Sequence, residues 1–564
     1  MTWGWRQELR LFPTLRGYRR GWLGRDLLAG VTFGAVTMPG QLATAHLAGM
    51  PPITGLYGFL VATIVGAALS TNRNLAFGVD STVAPILAAG LTTLGAVAES
   101  GQYIGLAMTT AFMVGIFTLI IGVGRLGWVG DFLSRPVMIG FFGGIAVIII
   151  VHQIPGLLGL PEGHGRTIDR IAEIVGQLRD THAPTAALGL SSLLLLLGLS
   201  RISRRIPGAL IVLTLATLAM VVFHLTDDGV AVLGPLDRGL PSLHLPPLSL
   251  ASVEAVLTTA LVIAIFCLAQ TAATSRSAAN LGGYETDINA DFRALGVANL
   301  MSSAVGSFPI NASPPSTTII AESRGRSQAA ALVASALAVI VLFFSQLIEN
   351  LPMATLSAVL IFIAVRIFRV DQMKATVTYT RRAFALMVVS LLGTVLLGIV
   401  YGVLIAVVIS FIYQTSRTAR PELLRLGRSE LGTWLTLDDE RAVAVPGIAA
   451  FALNGPLWFG NANWFRIQLI GAMPEDEEHP ERKPRLLVLD ARRIDDIDFT
   501  GAEALSDVAE VAALRGVHFL VVVQQGRAQR AFHGEKFSQT RFFDTIPLAV
   551  AAYPDVGVHP PAQT

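Results

Sequence analysis

The sequence predicts an all-α polytopic membrane region of about fourteen spans, followed by a small soluble α/β domain. Three observations predict it. Of 564 residues, 53% are hydrophobic and only 14% charged, against about 25% charged in soluble domains. Apolar runs recur from Asp26 to Thr415, many of them near the ~20 residues that cross a bilayer as helix. After Pro421 charged residues become frequent, and strand-like and helix-like segments alternate.

Residues 1–25 form a basic segment with no apolar stretch leading to a cleavage site, so it reads as a cytoplasmic tail rather than a signal peptide. Residues 26–416 are the membrane domain. Clear spans are Ala186–Leu199, Leu210–Leu225, Val253–Ala273 and Ala329–Leu347, some of them short or interrupted. Ala383–Tyr413 is long enough for two joined spans. With the amino end inside and an even span number, Arg73, Arg125, Arg201, Arg324, Arg366, Lys374, Arg382 and Arg417 all fall in cytoplasmic loops. The soluble domain is then also cytoplasmic. Residues 417–431 read as a linker and 432–564 as the domain. There GIAAFALNG, PRLLVLDAR and VHFLVVVQQ read as strands, ANWFRIQLIGAM and AEALSDVAEVAALRG as helices, and PEDEEHPERKP as an exposed loop. The single cysteine, Cys267, excludes a disulfide framework and a multi-cysteine metal site. The net charge of +2 is uninformative about partners.

Two segments break the helical pattern at membrane depth. In SFPINASPPSTTII, from Ser307 to Ile320, Ser313 followed by Pro314 reads as a helix start, a serine cap and then proline at the first helical position. The residues before it suit extended backbone. In the other half, LAFGVDSTVAPILAAG, from Leu75 to Gly90, again joins a short extended piece to capping residues, Asp80, Ser81 and Thr82, and then to helix. Irregular backbone is tolerated in a membrane only where protein buries it or it lines a cavity. Interrupted segments at matching places in two halves point to a transport site between inverted repeats. Two helix amino ends converging at the midplane would offer N–H groups and partial positive charge to an anion. A plain proline kink is the competing reading of either segment alone.

The chain resembles the SulP family of anion transporters, the sulfate permease and prestin group. PGQLATAHLAGMPPITGLY at 39–57, DFLSRPVMIGF at 131–141 and DINADFRALGVANL at 287–300 are similar to motifs of that family and stand in its order. The C-terminal segment resembles a STAS domain, with the turn DFTG at Asp498–Gly501. The resemblance implies fourteen spans as a 7+7 inverted repeat in a UraA-like arrangement of core and gate domains. It implies substrate held between spans 3 and 10, lined by spans 1 and 8, and a homodimer. Family members carry sulfate, bicarbonate, chloride or C4-dicarboxylates as symporters, exchangers or channels. The sequence departs from the family at Pro315-Ser316-Thr317, where an arginine is lost, at Pro39-Gly40, which displaces Gln41 by one place, and at Asp291, which replaces a glutamate. Gln270 stands where relatives often carry an acid that helps hold sodium, which argues against sodium coupling.

The expected substrate-binding residues are Gln41 and Thr44 in the first span, Val79, Asp80 and Ser81 at the first break, Gln270 in the eighth span, and Asn311, Ala312, Ser313, Ser316 and Thr317 at the second break. Asp80 is the candidate proton carrier, since an acid inside a membrane segment is costly and usually functional; a plain helix cap is its alternative. His46 and Glu322 are weaker candidates for that role. Gln270, Gln41 and Thr44 have packing roles between helices as their alternative. The leading function is proton-coupled symport of a small anion by an elevator-like mechanism. A passive channel or an exchanger is possible on the same scaffold, and a nucleobase transporter is a third reading. No phosphate loop, metal cluster or nucleophile motif points to an enzyme. No metal, cofactor or nucleic acid is implied; the partners are an anion, protons and the bilayer of the plasma or inner membrane.

Overall fold

A computed structural model describes residues 11–127, 134–161, 167–202, 208–234, 239–344, 349–473, 484–523 and 541–553. The first residues of the 131–141 motif and nearly all of PEDEEHPERKP lie outside the described residues. The chain forms two compact units, Met1–Ser410 and Phe411–Thr564.

The first half of the first unit contains α1 (Leu23–Leu47), α2 (Ile53–Leu69), a strand β1 (Phe77–Val79), α3 (Ala84–Thr92), α4 (Gly101–Val123), α5 (Arg135–Leu158), α6 (Thr167–Gln177), α7 (Ala183–Ile202) and α8 (Gly208–Val222). The second half contains α9 (Leu250–Gly282), α10 (Ile288–Ala304), β2 (Ile310–Ala312), α11 (Pro314–Glu322), α12 (Ala329–Phe343), α13 (Met353–Ile367), α14 (Val370–Tyr379), α15 (Arg381–Leu397) and the first part of α16 (Ile399–Thr418), whose last residues belong to the second unit. Among the described residues, five stretches are each long and apolar enough to cross a bilayer: α4, α5, α7, most of α9, and Met353–Tyr379. Helices α2, α8 and α12 are apolar but shorter, as the interrupted spans of the sequence require. The run Ala383–Tyr413 does divide in two: Gly398 at φ 94° ends α15 and α16 begins at the next residue, a conformation that favours glycine.

Glycines set the close packing between the halves. A Cβ at Gly115 of α4 would lie 2.9 Å from the Leu300 backbone of α10, and one at Gly296 of α10 would lie 2.8 Å from Leu119 of α4. Small residues let helix backbones approach where lipid leaves no hydrophobic drive between helices. In the same way a Cβ at Gly140 of α5 would run into Met387 O of α15.

The second unit holds a six-stranded sheet, ordered β4-β3-β5-β6-β7-β8, built from β3 (Glu422–Arg428), β4 (Trp434–Thr436), β5 (Ile448–Asn454), β6 (Leu486–Asp490), β7 (His518–Val522) and β8 (Arg541–Phe543). From β5 to β8 the strands are parallel; β3 runs antiparallel to both neighbours. Alternate residues feed opposite faces, the period of two that a strand imposes. Ala449, Phe451 and Leu453 pack with Phe465 of α17 (Ala462–Gly471) and Leu505 of α18 (Phe499–Leu514). Ile448 and Ala450 pack with Ile546 of α19 (Ile546–Ala551). The expected strands and helices of this domain are therefore present. The segment 417–431 is not a linker: α16 continues to Thr418 and β3 occupies Glu422–Arg428. Its side chains are mostly half-buried, so its sequence lacks the apolar run that marks a central strand. In the DFTG turn, Asp498 caps α18 by accepting from Gly501 N at 2.8 Å.

Candidate functional site

Both breaks have the same build. Three residues of strand, β1 or β2, lead into a nine-residue helix, α3 or α11. The two strands pair antiparallel, Phe77 opposite Ala312, Gly78 opposite Asn311 and Val79 opposite Ile310. A two-stranded ribbon still has two outer edges, and buried backbone groups there must find partners. Side-chain amides supply them. Gln41 accepts from Val79 N at 2.9 Å and donates to Val79 O at 3.2 Å. On the other edge Asn299 of α10 accepts from Ile310 N at 2.9 Å and donates to Ile310 O at 3.0 Å. Each amide does what a further strand would do.

The helix starts follow local chemistry. Ser313 caps α11 and two prolines follow it. Asp80 Oδ1 accepts from Thr82 N at 2.8 Å and from Thr82 Oγ1 at 2.6 Å, while Asp80 O accepts from Val83 N and Ala84 N. Asp80 thus starts the turn that becomes α3. Gln270 of α9 ties the two starts together. Its Nε2 donates to Asp80 Oδ2 at 2.5 Å and to Ala312 O at 2.8 Å, and its Oε1 accepts from Thr82 Oγ1 at 3.3 Å. Ser313 N donates to Ala76 O, and Thr317 Oγ1 accepts from Ala76 N. Asp80, Gln270 and Asn311 are all buried.

The expected residues therefore come together, with differences in what they offer. Gln41 is occupied on both its polar atoms by Val79, so it holds the ribbon instead of facing substrate with a free amide. Gln270 is occupied likewise. Ser313, Ser316 and Thr317 were expected to expose their N–H groups; in the structure Ser313 N and Thr317 N are bonded to Ala76 O and Ser313 O. Ser316 N is held only loosely, 3.4 Å from Ser313 Oγ. Proline removes the donors at 314 and 315. On the α3 side Ser81 N has no partner among the described residues. Asn311 Oδ1 accepts from Thr271 Oγ1 and Ala312 N, whereas its Nδ2 is buried without a partner. Thr44 lies buried on α1 and hydrogen-bonds none of these residues. Among the described residues, no cluster of His, Cys, Asp or Glu suits a metal ion.

Asn299 and Thr271 were not anticipated from the sequence. Asn299 lies in the 287–300 motif, but nothing in its spacing tells which backbone it serves. Replacing Asn299 or Gln41 by leucine should leave two buried backbone groups unmet, at a cost of about 1–3 kcal/mol for each group stranded. Thermal melting of the purified protein measures this; an unchanged melting point for either variant would refute the edge role.

Broken membrane helices meeting at their amino ends, joined by a short ribbon between two halves of the chain, define a membrane transporter. The chain belongs to the sulfate permease family, whose description matches residues 23–390, and residues 441–555 match the STAS domain. It is similar to a probable sulfate transporter of Mycobacterium tuberculosis, 31% identical over 545 residues and covering 95% of this chain and 96% of the relative. Sulfate transporter 3.1 of Arabidopsis thaliana is 26% identical, covering 97% and 87%. Among solved structures, the murine Solute Carrier 26 family member A9 anion transporter in its inward-facing state superposes with a TM-score of 0.86 at 21% identity, covering 96% of this chain and 94% of that one. The transmembrane domain of the cyanobacterial bicarbonate transporter BicA gives 0.61 at 23% identity, covering 69% and 97%. These two likenesses support the fold.

Proposed function

We propose that the chain is a proton-coupled symporter of a small anion, of the sulfate, bicarbonate or C4-dicarboxylate class, working as a homodimer by an elevator-like movement in the plasma or inner membrane with both termini cytoplasmic. The observation that carries this reading is the meeting of the α3 and α11 amino ends across the β1–β2 ribbon. Ser81 N, the loosely held Ser316 N and the unmet Nδ2 of Asn311 are the donors left for an anion. No basic side chain is needed, because the helix ends supply about half a positive charge each. The names of the relatives support an anion as substrate.

The arrangement also offers a route for coupling. Asp80 Oδ2 accepts from Gln270 Nε2, which also holds Ala312 O. A proton on Oδ2 would set donor against donor. The Gln270 amide would then turn over, present Oε1 to the new hydroxyl and release Ala312 O. Protonation in one half is thereby felt by the backbone of the other. An ionised Asp80 competes with an anion for the same helix ends, so the anion should bind more tightly as pH falls. Uptake into proteoliposomes, screened over labelled anions with imposed pH and sodium gradients, tests the reading. Accumulation driven by sodium but not by pH would overturn it.

The soluble unit is taken to regulate or assemble the transporter, not to form its pathway. Removal of residues from Pro421 onward should leave a membrane domain that still binds the anion. Complete loss of binding in a well-folded truncation, shown by a monodisperse elution profile, would contradict this.

A further inference from the structure

Asp291 stands in the 287–300 motif and takes no part in the site between α3 and α11. It is fully buried in the first turn of α10. Three hydroxyls hold its carboxylate. Ser70 Oγ donates to Oδ1 at 2.7 Å, while Ser275 Oγ at 2.5 Å and Thr286 Oγ1 at 3.1 Å donate to Oδ2. They come from the end of α2, from α9 and from the loop before α10. The charged and titratable groups around it are Arg73, Arg276, Tyr284, Glu285, Asp287 and Arg293. Arg293 pairs with Asp287 at 3.5 Å, Arg73 lies over the Tyr284 ring at 5.3 Å, and Tyr284 Oη donates to Asn72 Oδ1 at 2.7 Å. Among the described residues, none of these six side chains forms an ion pair or hydrogen bond with the Asp291 carboxylate. A buried acid with no cation against it marks a functional site in a membrane protein.

The partners of Asp291 differ in kind from those of the other buried acids of this unit. Asp26 accepts from Arg326 N and Ser327 N, and Asp80 from Thr82 N. A backbone N–H only donates, whereas a hydroxyl both donates and accepts. From Asp291 the hydroxyls continue outward. Thr71 Oγ1 lies 3.4 Å from Thr286 Oγ1, and both threonines are half-buried. Thr71 Oγ1 also accepts from the N–H of Asp287, whose side chain is 50% exposed. On the inner side, α9 carries both Gln270 and Ser275, about 7.5 Å apart along its axis. The segment that begins at Ser70 runs to Ala76, which is bonded to Ser313 N and Thr317 Oγ1. With the amino end of α1 inside, the ends of α2 and α9 and the start of α10 lie on the cytoplasmic side.

We infer that Asp291, Thr286 and Thr71 form a cytoplasmic proton port, through which the proton carried with the anion leaves the membrane unit. In release, the O–H bond on Asp291 Oδ2 breaks as Thr286 Oγ1 takes that proton. Thr286 passes its own proton to Thr71, and Thr71 passes its own to water. Each hydroxyl ends with one proton, the carboxylate ends ionised, and hydronium carries the charge away. The role in transport rests on the proton-coupled reading above; the proton chemistry of Asp291 does not.

Infrared difference spectra of the full chain in nanodiscs, taken through an acid jump, read carboxyl protonation with no anion present. A carboxylic-acid band should appear in the parent and in Asp80→Asn and be missing from Asp291→Asn. Its rise should slow roughly tenfold or more in Thr71→Val/Thr286→Val and recover in Thr71→Ser/Thr286→Ser, which restores both hydroxyls. Bands unchanged by Asp291→Asn, or a rise as fast in the double valine variant as in the parent, would overturn the inference. Should Asp291→Asn fail to fold, the two threonine pairs decide the matter with the carboxylate kept. In proteoliposomes, accumulation of labelled sulfate driven by a pH gradient should slow by the same factor in the double valine variant, and an unchanged rate would count against the port. A parent that accumulates no sulfate under any pH gradient overturns the coupled reading for that anion, and the infrared result then decides on Asp291 alone.

Discussion

Replacing Ser313 by alanine and Pro314 by leucine should abolish uptake while leaving the protein folded. The cap that Ser313 provides is worth only about 1 kcal/mol, a small loss for a membrane domain. The functional loss is larger because Pro314 now forbids the helix from extending upstream. Without it Pro315 alone opposes the winding of α11 back through Ala312, a change that draws β2 away from β1 and retires Ser316 N into a regular helical bond. An N–H donor to a charged group is worth about 1.5–3 kcal/mol, which is more than tenfold in affinity. Loss of the ribbon register adds to that. Anion binding by calorimetry and uptake into proteoliposomes should fall together. Normal uptake with normal affinity would show that the break is no more than a kink.

Asp80→Asn should separate binding from driving. The asparagine amide reproduces the protonated acid: it donates where the carboxylate accepted, and it carries no charge to compete with an anion. Gln270 should therefore sit permanently turned, with Oε1 toward position 80. The variant should bind and exchange the anion with little pH dependence, and should no longer accumulate it when only a pH gradient is imposed. Sodium should leave the parent protein unaffected. If the variant still concentrates anion in full response to the pH gradient, the proton travels elsewhere, and His46 and Glu322 become the residues to replace.

Much of this site could be read from sequence because its local grammar is strong. Ser313-Pro314 and Asp80-Ser81-Thr82 announce helix starts wherever they stand, and the strands of the soluble domain follow their apolar runs. What the sequence hid is pairing over long separations. Val79 and Ile310 are opposite one another, yet neither carries a mark of its partner. Gln41 and Asn299 look like any polar residue in a membrane helix; that they close the two edges of one ribbon depends on where α1 and α10 are packed. The same limit explains the donors. Counting N–H groups at a helix start suggests three near Ser313, Ser316 and Thr317, while the Ala76 carbonyl, far away in sequence, removes one of them. The strand at Glu422–Arg428 was missed for a different reason: a half-buried strand does not show a continuous apolar signature.

The β1–β2 ribbon also constrains how the chain is made. Strand β2 is synthesised about 230 residues after β1, and at ~5–20 residues per second this is roughly ten to fifty seconds. For that time Gln41 can serve Val79 on one edge of β1, but Ala76 on the other lacks Ser313 N and Thr317 Oγ1, at a depth where lipid offers no hydrogen bond. The first half of the membrane unit is therefore an unfinished object until the second half arrives. Either it waits in a hydrated protein channel during insertion, or another partner covers the edge for a while. A gene fragment encoding the first half alone should accumulate poorly in membranes and recover when the second half is supplied as a separate chain.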